Sequence, residues 1–273
     1  MDLDALTGCL ASSACLVTQT TSGFIIGMLL FLVAVGLTLI FGVLKVVNFS
    51  HGAFYMFGAY FAMTAYQLTG SFALAMLCGA TGTALLGLIF DDVVRMIWGP
   101  EFKSMGMPAA FQVAPLFIAG GVVPPYYLLL IGVALAAAVI LGLGLARTRL
   151  GKVIRAAAHN PGMVSALGIN TGLIYGGVFA LGGMLAGLAG ALAAPVRSLT
   201  PGMGFSVLIE SFIVTVIGGM GSILGALIGA LLIGMIRSFG SLGFPLFTEG
   251  LMYLFMVIVL VSRPTGLFGK EVA

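Results

Sequence analysis

Residues 36–60, GLTLIFGVLKVVNFSHGAFYMFGAY, decide how this chain is read. Apolar residues run up to Val47. Lys45, Asn48, Ser50 and His51 then crowd into a short polar seam, and the chain turns apolar again at Ala53. The apolar flanks are long enough for one membrane helix before the seam and another after it. Polar groups at such a seam are costly in lipid, so they must face a protein interior, a water-filled cavity or the interface. Gly52 and Gly58 permit close helix packing or a break.

Composition carries the same reading to the whole chain. Of 273 residues, 61% are hydrophobic and 7% charged, and the mean hydropathy is +1.23. Soluble domains carry roughly 25% charged residues. The 41 glycines fit close helix contacts in a bundle. A net charge of +3 argues against nucleic acid as a partner. The expected fold is an all-α polytopic membrane bundle with broken or re-entrant helices, one transmembrane domain over residues 1–273 with about seven to eight spans. Cys9, Cys15 and Cys78 have no metal or redox spacing and read as small apolar fillers rather than a disulfide. The start, with Asp2 and Asp4, lacks the basic region of a secretory signal, so no cleavage is expected.

Spans need about 20 apolar residues, and they are predicted at 23–44, 52–68, 72–90, 126–146, 172–194 and 250–261. Residues 91–125 carry five prolines together with Asp91, Asp92, Arg95, Glu101 and Lys103, so they read as loop or short surface helix. Arg147, Arg149, Lys152 and Arg155 form the densest basic cluster, and the positive-inside rule places it in the cytoplasm. Asn160-Pro161 interrupts the helix-forming stretch that follows, predicting two short helices meeting at that turn. Residues 205–236 are longer than one span requires and hold Gly218-Gly219 near the middle, which predicts a broken helix or two half-helices. A double crossing there puts the tail in the cytoplasm with Arg263 and Lys270. Residues 237–249 read as a polar turn.

Five blocks now stand in order: NFSHGAFYMFGAY (48–60), RTRLGKVIRAAAHNPGMVSALGIN (147–170), FALGGMLAGLAGAL (179–192), GGMGSILGALIGALLIG (218–234) and RPTGLFG (263–269). Together they closely resemble the inner-membrane permease subunits of branched-chain amino-acid ABC transporters, with the urea permeases as near relatives. The resemblance implies an importer in a bacterial inner membrane. Its partners are a second homologous permease or a second copy, two cytoplasmic ABC ATPase subunits, a soluble substrate-binding protein and the surrounding lipid. The chain departs from that pattern before residue 87, where it is short by about one span and a basic loop.

The chain has no GxxxxGK[ST] loop, so nucleotide must be bound elsewhere. The 147–170 segment corresponds to the family's coupling segment, and Arg155, Ala156, Ala157, Asn160, Leu167 and Gly168 are the candidates for docking on an ATPase, with Asn160 able to cap the second short helix. Asn48, Ser50 and His51 either line the translocation path or satisfy backbone groups freed by a helix break. Glu210 is a candidate path residue as an intramembrane carboxylate, and Gly218 and Gly219 as a break that opens backbone groups to a cavity. His51 has no acidic neighbour in sequence for proton relay. No HExxH, GxSxG or close carboxylate pair is present, so no catalytic residue, cofactor or metal is expected, and the chain is not an enzyme. Urea or short amides are the alternative cargo. A stand-alone channel or ion-coupled carrier is the competing class, and it fits poorly with a helical cytoplasmic segment.

Overall fold

A computed structural model describes residues 3–46, 48–85, 96–99 and 101–269. The chain opens with α1 (Leu3–Ala11) and the long α2 (Ser13–Leu44). Ser12 is extended between them, and its hydroxyl accepts from the Cys15 N–H. This break folds Cys9 back toward Cys15, and the two are joined by a disulfide. The filler reading of these cysteines is therefore corrected: spacing alone did not reveal the bend at Ser12. The first predicted span is also extended at its start, from residue 23 back to Ser13. Helix α2 stops where Lys45 takes a left-handed conformation (φ 59°) and donates to the Phe41 carbonyl.

Helices α3 (His51–Thr69) and α4 (Phe72–Leu85) follow, joined at Gly70. The rest of the predicted third span, to residue 90, lies outside the described residues. Within 96–125 the loop reading holds in part, with a helical turn at 96–98 and a short 3-10 turn at Ala109–Phe111. A hairpin the sequence reading missed pairs β1 (Leu116–Ile118) with β2 (Gly121–Val123). It rests on the start of α2, where the Ser13 hydroxyl donates to the Ala119 carbonyl.

Helix α5 (Pro125–Arg147) leads to two short helices, α6 (Arg149–His159) and α7 (Pro161–Ala166), which meet at Asn160. Helix α8 (Thr171–Ala193) follows, then α9 (Met203–Gly218) and α10 (Ile223–Gly243), separated at Gly219–Ser222. Residues 237–249 are corrected from turn to helix as far as Gly243, because no breaker precedes Pro245. Helix α11 (Thr248–Ser262) completes the bundle. Among the described residues, five helices are long and apolar enough to cross a membrane, and α4 and α9 are shorter apolar helices. The chain is an all-α, multi-pass membrane protein.

Without a hydrophobic driving force between helices in lipid, close packing must hold the bundle. Helices α2 and α10 make the most extensive contact. There a Cβ on Gly27 would lie 2.8 Å from the Ala230 carbonyl oxygen. Gly58 of α3 and Gly187 of α8 meet backbone to backbone, and a Cβ on Gly190 would collide with the Tyr55 carbonyl. Buried hydroxyls add hydrogen bonds between helices. Thr83 donates to the Gly183 carbonyl (3.2 Å) and Tyr126 to that of Leu192 (2.6 Å).

Helices α9 and α10 run antiparallel. Gly218 meets Gly225 near the break, and Glu210 meets Arg237 further out. The tail returns to the break, where the N–H groups of Leu267 and Phe268 donate to the carbonyls of Ile217 and Gly218. Gly42, near the end of α2, also faces Gly221. The break, the tail and the end of α2 therefore share one end of the bundle. Helix α5 starts beside Leu192 at the end of α8, so α6 and α7 sit at the opposite end from that contact, on the side of the α2 C-terminus. With the basic cluster inside, Cys9–Cys15 lies outside, in the compartment where disulfides persist.

Two measurements check this arrangement. Gly190→Ala is expected to cost about 1–3 kcal/mol, read as a detergent melting temperature lowered by roughly 2–10 °C. Gly176→Ala, with nothing within 4 Å of its Cβ, should not move it, and equal behaviour of the two refutes the α3–α8 contact. In intact cells carrying Cys78→Ala, a membrane-impermeant maleimide is expected to label Cys9 and Cys15 only after an impermeant reductant. Labelling without reduction means free thiols, and none after reduction places the N-terminal end inside.

Candidate translocation site

The seam begins a helix inside the bundle. His51, the first residue of α3, is fully buried, and its Nε2–H donates to the Val33 carbonyl in the middle of α2 at 2.9 Å. Val33 lies roughly 16 Å back from the end of α2 at 1.5 Å per residue. Gly36 gives the imidazole room: a Cβ there would stand 3.0 Å from Cε1. Phe54 packs edge-on to the imidazole, and Phe179 of α8 edge-on to Phe54.

Asn48 closes the turn before it. Its Oδ1 accepts from the Ser50 N–H (3.0 Å), and its carbonyl from the His51 N–H (3.2 Å). Ser50 occupies the cap position of α3 without a side-chain cap bond. Half of each polar side chain is thus spent on backbone. The other half is not: Asn48 Nδ2 and His51 Nδ1 are buried with no partner.

One helical turn beyond His51, on the same face of α3, stands Tyr55. It is buried. Glu210 is only 8% exposed, and its Oε1 is ion-paired with an Arg237 N–H across the α9–α10 pair. Its Oε2 is buried and unpartnered. Glu210 is therefore a buried, paired carboxylate rather than a solvated interfacial one. Arg237 and Tyr55 were not among the sequence candidates. A lone carboxylate in an apolar segment calls for a cationic partner, and that rule alone singles out Arg237 once residues 237–243 are helical.

Gly218 and Gly219 do not join this cluster. They form the inner break, with Gly219 at φ 94° and pressed against Gly269 of the tail.

The 147–170 segment lies apart from this cluster. Thr148 accepts from the Gly151 N–H and Asn160 from the Met163 N–H, so each short helix has its own cap. Arg155 donates to the Leu145 carbonyl and ties α6 back to the end of α5. Ala157 is only 1% exposed, under α6, so it faces the bundle and not a docking partner. Ala156 and Leu167 are exposed, Leu167 at 74% together with Met163 of α7. Gly168 is exposed at φ 79°, with open space around it. Of the six sequence candidates, three hold the segment and three present it.

The family model described as the permease component of the branched-chain amino acid transport system matches residues 19–97 and 93–260. The high-affinity branched-chain amino acid transport system permease protein BraD of Pseudomonas aeruginosa is 31% identical over 293 residues, covering 92% of this chain and 95% of its own. The permease protein LivH of Escherichia coli K12 is 26% identical over 92% and 95% of the two chains. The probable LivH of Methanocaldococcus jannaschii is 27% identical over 89% of each. The BraD alignment is longer than this chain of 273 residues, so that relative has residues with no counterpart here. The two family-model segments meet at 93–97, next to the stretch where the sequence is short. No solved structure matches.

His51→Leu is expected to cost about 1–3 kcal/mol by removing the donor to Val33, read as a lower melting temperature in detergent. His51→Gln keeps a donor and should recover part of the loss. Equal losses in both variants would show that packing, not the hydrogen bond, holds His51.

Proposed function

The chain belongs to the family of branched-chain amino acid transport permease components, and from that premise we propose that it passes branched-chain or related amino acids from a soluble binding protein outside to the cytoplasm. It works beside a second permease, homologous or a second copy, and two cytoplasmic ATPases drive it. Residues 1–273 act as one transmembrane unit of about seven to eight crossings, the count expected from spans of about 20 residues each. The inner membrane is its site. Asn48, Ser50, His51 and Glu210 border the path, and the Gly218–Gly219 break lies at its inner end.

The observation that carries this reading is the pair of capped short helices α6 and α7, held against the bundle by Arg155 and Ala157 while Leu167 and Met163 stay exposed. Exposed apolar side chains on a rigid, basic-flanked segment suit a groove on a partner. Urea or short amides remain the alternative cargo. An ion-coupled carrier would use an unpaired buried carboxylate, whereas the buried carboxylate among the described residues, Glu210, is paired with Arg237.

The test is co-purification with the ATPases encoded beside the chain. Leu167→Asp with Met163→Asp, and separately Gly168→Asp, are expected to leave the chain inserted while ATPase recovery and uptake fall at least about tenfold, a loss of about 1.4 kcal/mol or more in docking. Unchanged recovery and normal uptake would sink the assignment of this segment.

A further inference from the structure

We propose that the start of α3 is a subsite for the charged head of a zwitterionic α-amino acid in transit. The α3 N-terminus, the Asn48 Nδ2–H and the Ser50 hydroxyl take the carboxylate, and His51 Nδ1 takes the ammonium. The inference rests on the importer reading above and names the ligand chemistry of its path.

Helix α3 has 19 residues and begins inside the bundle, beside Val33 and Gly36 of α2. A helix end carries about half a positive charge at its N-terminus, and among apolar helices that charge is weakly screened. Anions bind at such ends through backbone N–H groups, and broken membrane helices present the same end to anionic groups. A cap residue aims its side chain at the first turn when its backbone is extended. Ser50 sits at the cap position with helical angles instead (φ −74°, ψ −3°) and makes no side-chain cap bond. Its hydroxyl is therefore left to bond a group other than the helix.

Two buried atoms at the same turn supply one donor and one acceptor. Asn48 Oδ1 accepts from the Ser50 N–H at 3.0 Å, which orients the amide, and Nδ2 is buried without a partner. The Asn48 carbonyl accepts from the His51 N–H at 3.2 Å, so the two side chains flank one backbone hydrogen bond. His51 Nε2 meets the Val33 carbonyl at 2.9 Å. A carbonyl only accepts, so Nε2 carries the proton and Nδ1 of the neutral ring carries a lone pair. Nδ1 is the ring nitrogen nearer the backbone, and it too is buried without a partner. Each such orphan costs about 1–3 kcal/mol. A carboxylate and an ammonium on one α-carbon match them as acceptor and donor.

The turn is reachable. Val46 is 60% and Phe49 76% exposed, so residues 46–49 border an open side of the bundle. Lys45, toward the inner end, is exposed and has no ion pair among the described residues, which makes it the next cation for a carboxylate leaving α3. Urea has no net charge to gain from the helix end or from Lys45, so this subsite also separates the two cargo readings.

The experiment uses the complete importer, with both permeases, ATPases and binding protein, in proteoliposomes, and reads labelled leucine uptake, urea uptake and ATP hydrolysis together. Asn48→Asp keeps an oxygen for the Ser50 N–H and adds negative charge at a helix N-terminus, a change that stabilises the helix. A residue that only satisfies backbone tolerates it, whereas a carboxylate-binding residue becomes repulsive. The melting temperature is expected to stay or rise and hydrolysis to remain stimulated by loaded binding protein, while leucine taken up per ATP falls at least about tenfold. Normal uptake per ATP overturns the subsite. Where Asn48→Asp lowers the melting temperature or fails to assemble, Ser50→Ala decides. It removes a hydroxyl that caps nothing and should lower leucine taken up per ATP at least about threefold, as losing a hydrogen bond to a charged group does, while an unchanged ratio overturns the subsite. An unmutated complex that takes up urea only, or neither solute, defeats the reading on which the subsite rests. Leucine uptake that survives in both variants defeats only the subsite.

Discussion

A helix that starts inside a bilayer leaves its first N–H groups without water to bond, and the rest of this structure depends on how that constraint is met at residues 45–51. Lys45 closes α2 through the Phe41 carbonyl, and Asn48 takes both the Ser50 and His51 N–H groups. His51 then spends one ring nitrogen on a carbonyl in the middle of α2. This anchoring fixes where α3 begins and how it is rotated. Tyr55 follows one turn on, on the same face of α3. The seam is therefore both a backbone solution and the origin of the polar face of the site.

Helix α2 ties the remaining parts together. At its start it carries the disulfide-closed turn and the hairpin, through Ser12 and Ser13. In its middle Val33 and Gly36 receive His51. Along its length the glycines at 23 and 27 let α10 approach to backbone distance, and near its end Gly42 meets the break at Gly221. Ser238 Oγ of α10 also stands 2.7 Å from both the backbone carbonyl and the side-chain Oε1 of Gln19 in α2, and its single O–H donates to one of them at a time. Dispersion contacts are individually weak, so long, close helix pairs of this kind carry the packing.

Much of this was legible in the sequence because lipid leaves few options. Span positions followed from apolar runs, the turn at Asn160-Pro161 from proline chemistry, and the break after Gly218 from excess length and paired glycines. The failures have physical causes too. Cys9 and Cys15 meet only because one residue, Ser12, leaves the helix, and no periodicity signals a single extended residue. Residues 237–243 hold Arg, Ser and Gly, which read as a turn in isolation. In the fold Arg237 is paid for by Glu210 and Ser238 by Gln19, so the helix continues. The hairpin at 116–123 is too short to show an alternation.

The ion pair also ties α9 to α10. A lone carboxylate or guanidinium left behind in an apolar bundle is destabilising by about 3–5 kcal/mol, so separating Glu210 from Arg237 is costly. At the other end of the pair, Gly218 and Gly225 touch backbone to backbone, which no side-chain rearrangement can relax. A hairpin pinned at both ends resists sliding of one arm past the other, although its middle is glycine-rich. The tail is bonded to the break through Leu267 and Phe268, and Gly42 of α2 lies against it. The glycines at the break supply a turn with positive φ at Gly219 and Gly221 rather than a flexible joint.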